Sequence, residues 1–248
     1  MALRRSLLFG MILAGLSVLT TSADEFAPEG PTPYPTRSED WPGVGVVRVF
    51  DWMAQYRRTF WKERRAKQGS VVFAGDSLTQ GWHTIAEDLR GLPVANRGIG
   101  GDVSRGLLFR FEEDVLALHP RAIVLLIGTN DLTARQPAAD TIANIRSMLM
   151  LRLARTPAAP VLICTVPPSA NPDAPVDARQ LRLLNRALHE LAREQPAVFL
   201  VDLFQATADM RGAPVRPFFA ADLLHLSADG YQKWKEALIP VLQVAGVR

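Results

Sequence analysis

Short, almost wholly apolar runs, separated by amphipathic stretches of helical length, constrain this chain most. The runs fall at residues 71–74, 93–96, 122–127, 161–166 and 198–201. A strand that is apolar on both faces has to be covered on both, which is the condition of a parallel sheet held between helices. The intervening pattern predicts helices over about 47–66, near Ile85, over 103–116, 138–155 and 178–194, and after Ser227. Within 178–194, Leu181, Leu184, Leu188 and Leu191 recur at helical spacing and form one apolar stripe. The last helix has Ser227 as a candidate N-cap and carries Tyr231, Trp234 and Leu238 on one face. Right-handed crossovers leave few ways to connect such strands. The expected fold is α/β: a three-layer α/β/α sandwich with a five-stranded parallel sheet in flavodoxin-like order.

The first residues read as a secretory signal peptide spanning 1–23. Arg4 and Arg5 form a basic start, residues 7–19 an apolar stretch, and Thr21-Ser22-Ala23 a small-residue cleavage site. The apolar stretch is shorter than the roughly 20 residues of a membrane-spanning helix. The expected product is exported, periplasmic or extracellular, with no stable membrane insertion after the signal is removed. Because the segment carries two arginines and no acid, its loss lowers the formal net charge from +3 to about +1. Such a balance gives no reason to expect a nucleic-acid partner. Residues 24–45, with Pro28, Pro31, Pro33 and Pro35, suit an extended linker or a strap across the surface better than a packed element.

Two features read as structural. Arg57, Arg58, Lys62, Arg64, Arg65 and Lys67, interleaved with Phe60 and Trp61, form a solvated helix face with the aromatics packed inward. Cys164 is the single cysteine, so no intrachain disulfide can form, and its apolar run marks it as a buried strand thiol.

Four polar blocks follow strand ends or precede a helix, where open α/β sheets place their ligands. Gly75-Asp76-Ser77-Leu78 follows the first strand. Taken alone, Ser77 is better explained as a helix cap. Asn96-Arg97-Gly98-Ile99-Gly100-Gly101-Asp102 follows the second, and its glycines let backbone N–H groups approach a substrate oxygen. The glycine spacing departs from a dinucleotide fingerprint, and Asp102 also suits a helix cap. Gly128-Thr129-Asn130-Asp131 follows the third strand, with Asn130 as a candidate oxyanion donor or a turn residue. Asp222-Leu223-Leu224-His225 precedes the last helix and supplies a base with an orienting carboxylate. The other histidines suit that role less: His83 follows Ser77 closely, His119 precedes a proline and His189 lies inside a helix.

Together and in this order, the four blocks resemble those of the GDSL/SGNH hydrolases, serine esterases. Within that family the chain is most similar to bacterial relatives of the platelet-activating-factor acetylhydrolase catalytic subunits, through Gly98-Ile99-Gly100-Gly101-Asp102 and Asp222-Leu223-Leu224-His225-Leu226-Ser227. The resemblance implies one hydrolase domain over 46–248, with Ser77 as nucleophile, His225 as base and Asp222 orienting it. It implies an oxyanion hole of the Ser77 and Gly101 backbone N–H groups and the Asn130 side chain, with no metal and no cofactor. Residues 167–175 and 204–221 are expected near the substrate, and Trp82 equally there or in the core. No inserted lid is visible between the blocks, so short acyl groups such as acetyl are expected, on a small-molecule or carbohydrate ester. Acyl transfer to sugar hydroxyls fits the same residues; a non-catalytic carbohydrate-binding protein, the weakest alternative, would be expected to lack at least one of the five positions, all of which are present.

Overall fold

Five strands, Val71–Gly75 (β1), Val94–Gly98 (β2), Ala122–Leu126 (β3), Val161–Cys164 (β4) and Val198–Val201 (β5), pair in parallel in the order β2-β1-β3-β4-β5. This is the flavodoxin-like order the sequence predicts. The computed structural model describes residues 29–247; the expected signal and residues 24–28 of the proline-rich stretch lie outside the described residues. Every residue of β1 and β3 is buried, which accounts for their lack of apolar–polar alternation.

Three long helices, Ser104–Asp114 (α4), Ala138–Arg155 (α6) and Ala178–Glu194 (α7), pack side by side on one face of the sheet. The leucine stripe of α7 is buried there as expected. Ala228–Val244 (α9) covers the other face, with Trp234 against Phe73 and Trp82 at ring-centroid distances of 6.5 and 5.0 Å. Trp82 is therefore mainly a core residue. Cys164 is buried in β4, and burial pushes its thiol up to about 12. Asp51–Glu63 (α1) and the short helices Ser77–Gln80 (α2), Ile85–Asp88 (α3), Thr129–Thr133 (α5) and Leu203–Thr207 (α8) complete the set used below. No helix among the described residues is long and apolar enough to cross a membrane.

The described part of the proline-rich stretch lies against α4 and α6 as a strap. Tyr34 and Trp41 stack on each other at 5.5 Å and both rings meet Phe109 of α4. Arg105 donates to the carbonyls of Ser38, Trp41, Pro42 and Gly45. Asn144 of α6 exchanges two hydrogen bonds with the Val44 backbone, both 2.9 Å. Backbone that cannot pair within a helix or strand finds side-chain partners instead.

One arginine of the basic cluster departs from the expected solvated face. Arg57 is 2% exposed and binds Glu113 at 2.6 Å, Asp114 at 3.3 Å and the Thr32 carbonyl. A basic residue on a helix reads as solvated unless its partners are known, and these lie on α4 and the strap.

Arg110 of α4 is fully buried beneath the carboxyl ends of β1 and β2. Its guanidinium donates to the carbonyls of Gly75 (3.0 Å) and Arg97 (2.8 Å) and pairs with Asp102 (2.8 Å) and Asp114 (3.5 Å). Removing one member of a buried ion pair leaves an uncompensated charge. Arg110→Met is thus expected to lower unfolding stability by about 3–5 kcal/mol in urea titration. Arg110→Lys should restore only part of it, because an ammonium cannot span the same planar fork of acceptors.

Candidate active site

Three of the four blocks meet because β1, β2 and β3 run in register. Gly75 is opposite Gly98 on one side and Leu126 on the other, so the segments after these strands emerge together. The chain leaves β1 to β2 in one direction and returns past β1 to β3, which makes this edge the switch point of the sheet.

Ser77 begins α2, and the preceding Asp76 caps that helix by accepting the Leu78 N–H at 2.9 Å. The second block approaches so closely that a Cβ on Gly98 would lie 2.2 Å from the Gln80 nitrogen and 2.8 Å from the Asp76 carbonyl. A glycine is required at 98 for that reason.

His225 arrives from 148 residues away, and its Nε2 lies 2.9 Å from the Ser77 Oγ. Its Nδ1 lies 2.6 Å from Asp222 Oδ2, while Oδ1 of the same carboxylate accepts the N–H groups of Leu224 and His225, both at 3.0 Å. The loop is built for this: Leu223 takes a left-handed φ of 54°, its carbonyl accepts from Ala170, and the His225 carbonyl accepts from Ala220. Burial pushes the Asp222 carboxyl upward, but the His225 ring and the two backbone N–H groups outweigh it and hold the carboxyl below its usual range. A carboxylate ionised in this way fixes the ring tautomer, leaving Nε2 to face the serine.

Asn130 lies in α5, and its Nδ2 donates to the Asp102 carbonyl at 3.0 Å. An amide nitrogen carries two hydrogens, so one anchors the side chain and the other remains for a ligand. Asp131, fully buried, accepts from the Ser104 N–H at 3.0 Å and also binds the hydroxyls of Ser104 and Thr141 and the Gln136 amide, clamping the third block to the start of α4. Among the described residues the backbone N–H groups of Ser77 and Gly101 donate to no protein acceptor. The structure thus brings together all five sequence-predicted residues: Ser77, Gly101, Asn130, Asp222 and His225. The remaining histidines stand elsewhere: His119 binds Gln68, His189 lies 3.5 Å from Asp202, and His83 is exposed.

Residues of the N-terminal segment that the sequence does not single out also reach this place. Phe50 and Trp52 stack at 4.5 Å, and the Trp52 Nε1 donates to the Gly100 carbonyl at 3.0 Å. Gln80 accepts from the Gly100 N–H and donates to the Tyr56 hydroxyl at 2.7 Å. Their signal in the sequence is only an aromatic cluster ahead of the first strand.

The carboxyls behind the site are strongly perturbed. Burial pushes Asp76 up to about 7, against the pull of the Leu78 N–H, and its Oδ2 has no hydrogen-bond partner among the described residues. Burial also pushes Asp102 up to about 6 despite Arg110.

The matched family model is the GDSL-like Lipase/Acylhydrolase family, over residues 73–233. The chain is 30% identical over 192 residues to the platelet-activating factor acetylhydrolase IB subunit alpha2 of Rattus norvegicus, covering 73% of this chain and 79% of that protein. It is 30% identical over 222 residues to the alpha1 subunit of Bos taurus, covering 86% and 90%. Among solved structures, a GDSL-like lipase from Bacteroides thetaiotaomicron superposes with a TM-score of 0.69 at 26% identity, covering 78% of this chain and 99% of that one.

An acid whose folded-state pKa lies above its ordinary value of 3.8 favours the folded state fully below that value and loses the contribution as pH rises through about 7. Asp76→Asn removes this loss. Relative to wild type, the variant should gain about 1–3 kcal/mol of unfolding stability between pH 4.5 and pH 8. A difference that stays flat across that range in urea titrations would mean the carboxyl ionises normally.

Proposed function

Because the chain belongs to the GDSL-like lipase/acylhydrolase family and is an ester hydrolase, we propose that it is an exported serine esterase that removes short acyl groups, acetyl above all, from carbohydrate. The observation that carries the mechanism is the continuous hydrogen-bonded line from Asp222 through His225 to Ser77, with contacts of 2.6 and 2.9 Å.

Ser77 Oγ attacks the ester carbonyl as His225 Nε2 takes its proton, and Asp222 stabilises the imidazolium that results. The carbonyl oxygen becomes an oxyanion held by the Ser77 and Gly101 N–H groups and the free hydrogen of Asn130 Nδ2. His225 then gives its proton to the departing alcohol, leaving an acyl-serine. A water, deprotonated by His225, attacks this ester, and the proton returns to Ser77 as the acid leaves.

Three observations support the finer substrate. The relatives named above are acetylhydrolases. The side chains of His225 and Asp222 are 44% and 38% exposed, which leaves little apolar wall to take a long acyl chain out of water. The exposed rings of Phe50 and Trp52, beside Gly100, offer a flat apolar surface to the C–H face of a sugar ring. Export is supported by the basic start, apolar stretch and small-residue site of residues 1–23.

Turnover of p-nitrophenyl acetate should exceed that of the decanoate in kcat/KM and vanish in Ser77→Ala, and acetylated xylo-oligosaccharide should release acetate. Asn130→Ala should lower kcat about a hundredfold to a thousandfold. A clear preference for the long-chain ester would overturn the short-acyl assignment.

Expressed in full in a Gram-negative host, the protein should be recovered outside the cytoplasm with Asp24 as its first residue. N-terminal sequencing of fractionated cells checks this, and a cytoplasmic product retaining Met1 would contradict export.

A further inference from the structure

The peptide between Gly100 and Gly101 lies at the centre of a turn next to Ser77. Asp102 N–H donates to the Ile99 carbonyl at 3.1 Å, so residues 99–102 form a β-turn with Gly100 and Gly101 at its centre. Gly101 has φ +83°, the value of the third residue of a type II turn. Type I and type II turns differ chiefly by a half-rotation of the central peptide, and glycine at both central positions removes the steric preference that would choose between them.

That peptide carries the Gly100 carbonyl on one edge and the Gly101 N–H on the other, pointing in opposite directions because the bond is trans. Whatever holds the carbonyl therefore aims the N–H. The Gly100 carbonyl is held by the Trp52 indole N–H at 3.0 Å, from the first turn of α1. Phe50 stacks on Trp52, and a Cβ on Gly101 would lie 2.7 Å from the Phe50 ring, so the aromatic pair closes on the turn from outside. Both aromatics precede residues 73–233.

We propose that Trp52 is a positioning residue of the oxyanion hole: its indole N–H holds the Gly100–Gly101 peptide in the type II orientation that turns the Gly101 N–H toward the substrate oxygen. Phe50 keeps the indole in place. The inference rests on the oxyanion role given above to Gly101. A Trp52 that served only to cover the surface would matter through its ring, whereas a positioning Trp52 matters through one hydrogen.

The test uses the full protein and methyl acetate, followed by pH-stat, so that no aromatic or sugar leaving group touches the ring. Trp52→Phe should lower kcat about tenfold to a hundredfold, less than outright loss of an oxyanion donor, with KM unchanged within about twofold. The inhibition constant of a trifluoromethyl ketone, which forms a hemiketal oxyanion on Ser77, should rise by the same factor as kcat falls. 3-Benzothienylalanine in place of Trp52 keeps the bicyclic ring and removes only the donor, and it should behave alike even if the Phe variant folds poorly. Unchanged kcat and inhibition in the benzothienyl protein, with turnover still abolished in Ser77→Ala, would overturn the positioning role while leaving the esterase reading intact. A wild type without Ser77-dependent turnover would overturn both.

Discussion

The buried guanidinium of Arg110 is the interaction on which the geometry of the site depends. Near the ends of two parallel strands, the carbonyls of Gly75 and Arg97 point into the protein, and the Gly75 carbonyl accepts the Ile99 N–H at 3.1 Å besides its bond from Arg110. Arg110 accepts neither burial without partners nor a single partner; it reaches both carbonyls, Asp102 and Asp114 together. The four acceptors belong to β1, β2, the glycine-bearing block and α4. One side chain therefore fixes where the Ser77 turn starts relative to where the Gly101 turn ends.

Placing that charge in the core has consequences for its neighbours. Asp102 and Asp114 are kept beside it, yet burial still pushes both carboxyls upward, so attraction to Arg110 only partly offsets their loss of water. Asp131, buried nearby, relies on the hydroxyls and N–H of Ser104 and Thr141 instead of a cation. Asp222 at the surface shows the contrary balance, since its hydrogen bonds outweigh its modest burial. Asp222, hydrogen-bonded to His225, is the carboxylate left near water, while Asp102, Asp114 and Asp131 are sealed beneath.

The strands and long helices were legible because burial on one or two faces prints a period on the sequence: α6 and α7 fall where the pattern puts them, and β1 extends one residue further than its apolar run. The four polar blocks of the candidate site were legible for a different reason, as polar residues with glycines at strand ends in a fixed order. Helices of four or five residues, such as α5 and α8, complete too little of a helical period to be seen. Arg57 and Arg110 were hidden because a basic side chain on an amphipathic helix looks solvated until its distant carboxylates and carbonyls are placed. Phe50 and Trp52 were hidden for a related reason, since their role exists only once the strap has folded onto α4 and α6 and set α1 beside the glycine turn.

The strap therefore does more than cover the domain. The glycine turn is held from inside by Arg110 through Asp102, and from outside by Trp52 and by Gln80, itself bound to Tyr56 of α1. A turn made of two glycines has little stiffness of its own, so its precision comes from being gripped on both sides. Because Arg57 ties α1 to the strap at Thr32 and to α4 at Glu113 and Asp114, the docking of the N-terminal segment and the placement of α1 beside the turn are linked. The same aromatic pair that grips the turn is also exposed beside it, so the exposed rings and the orientation of the Gly100–Gly101 peptide are joined through Trp52.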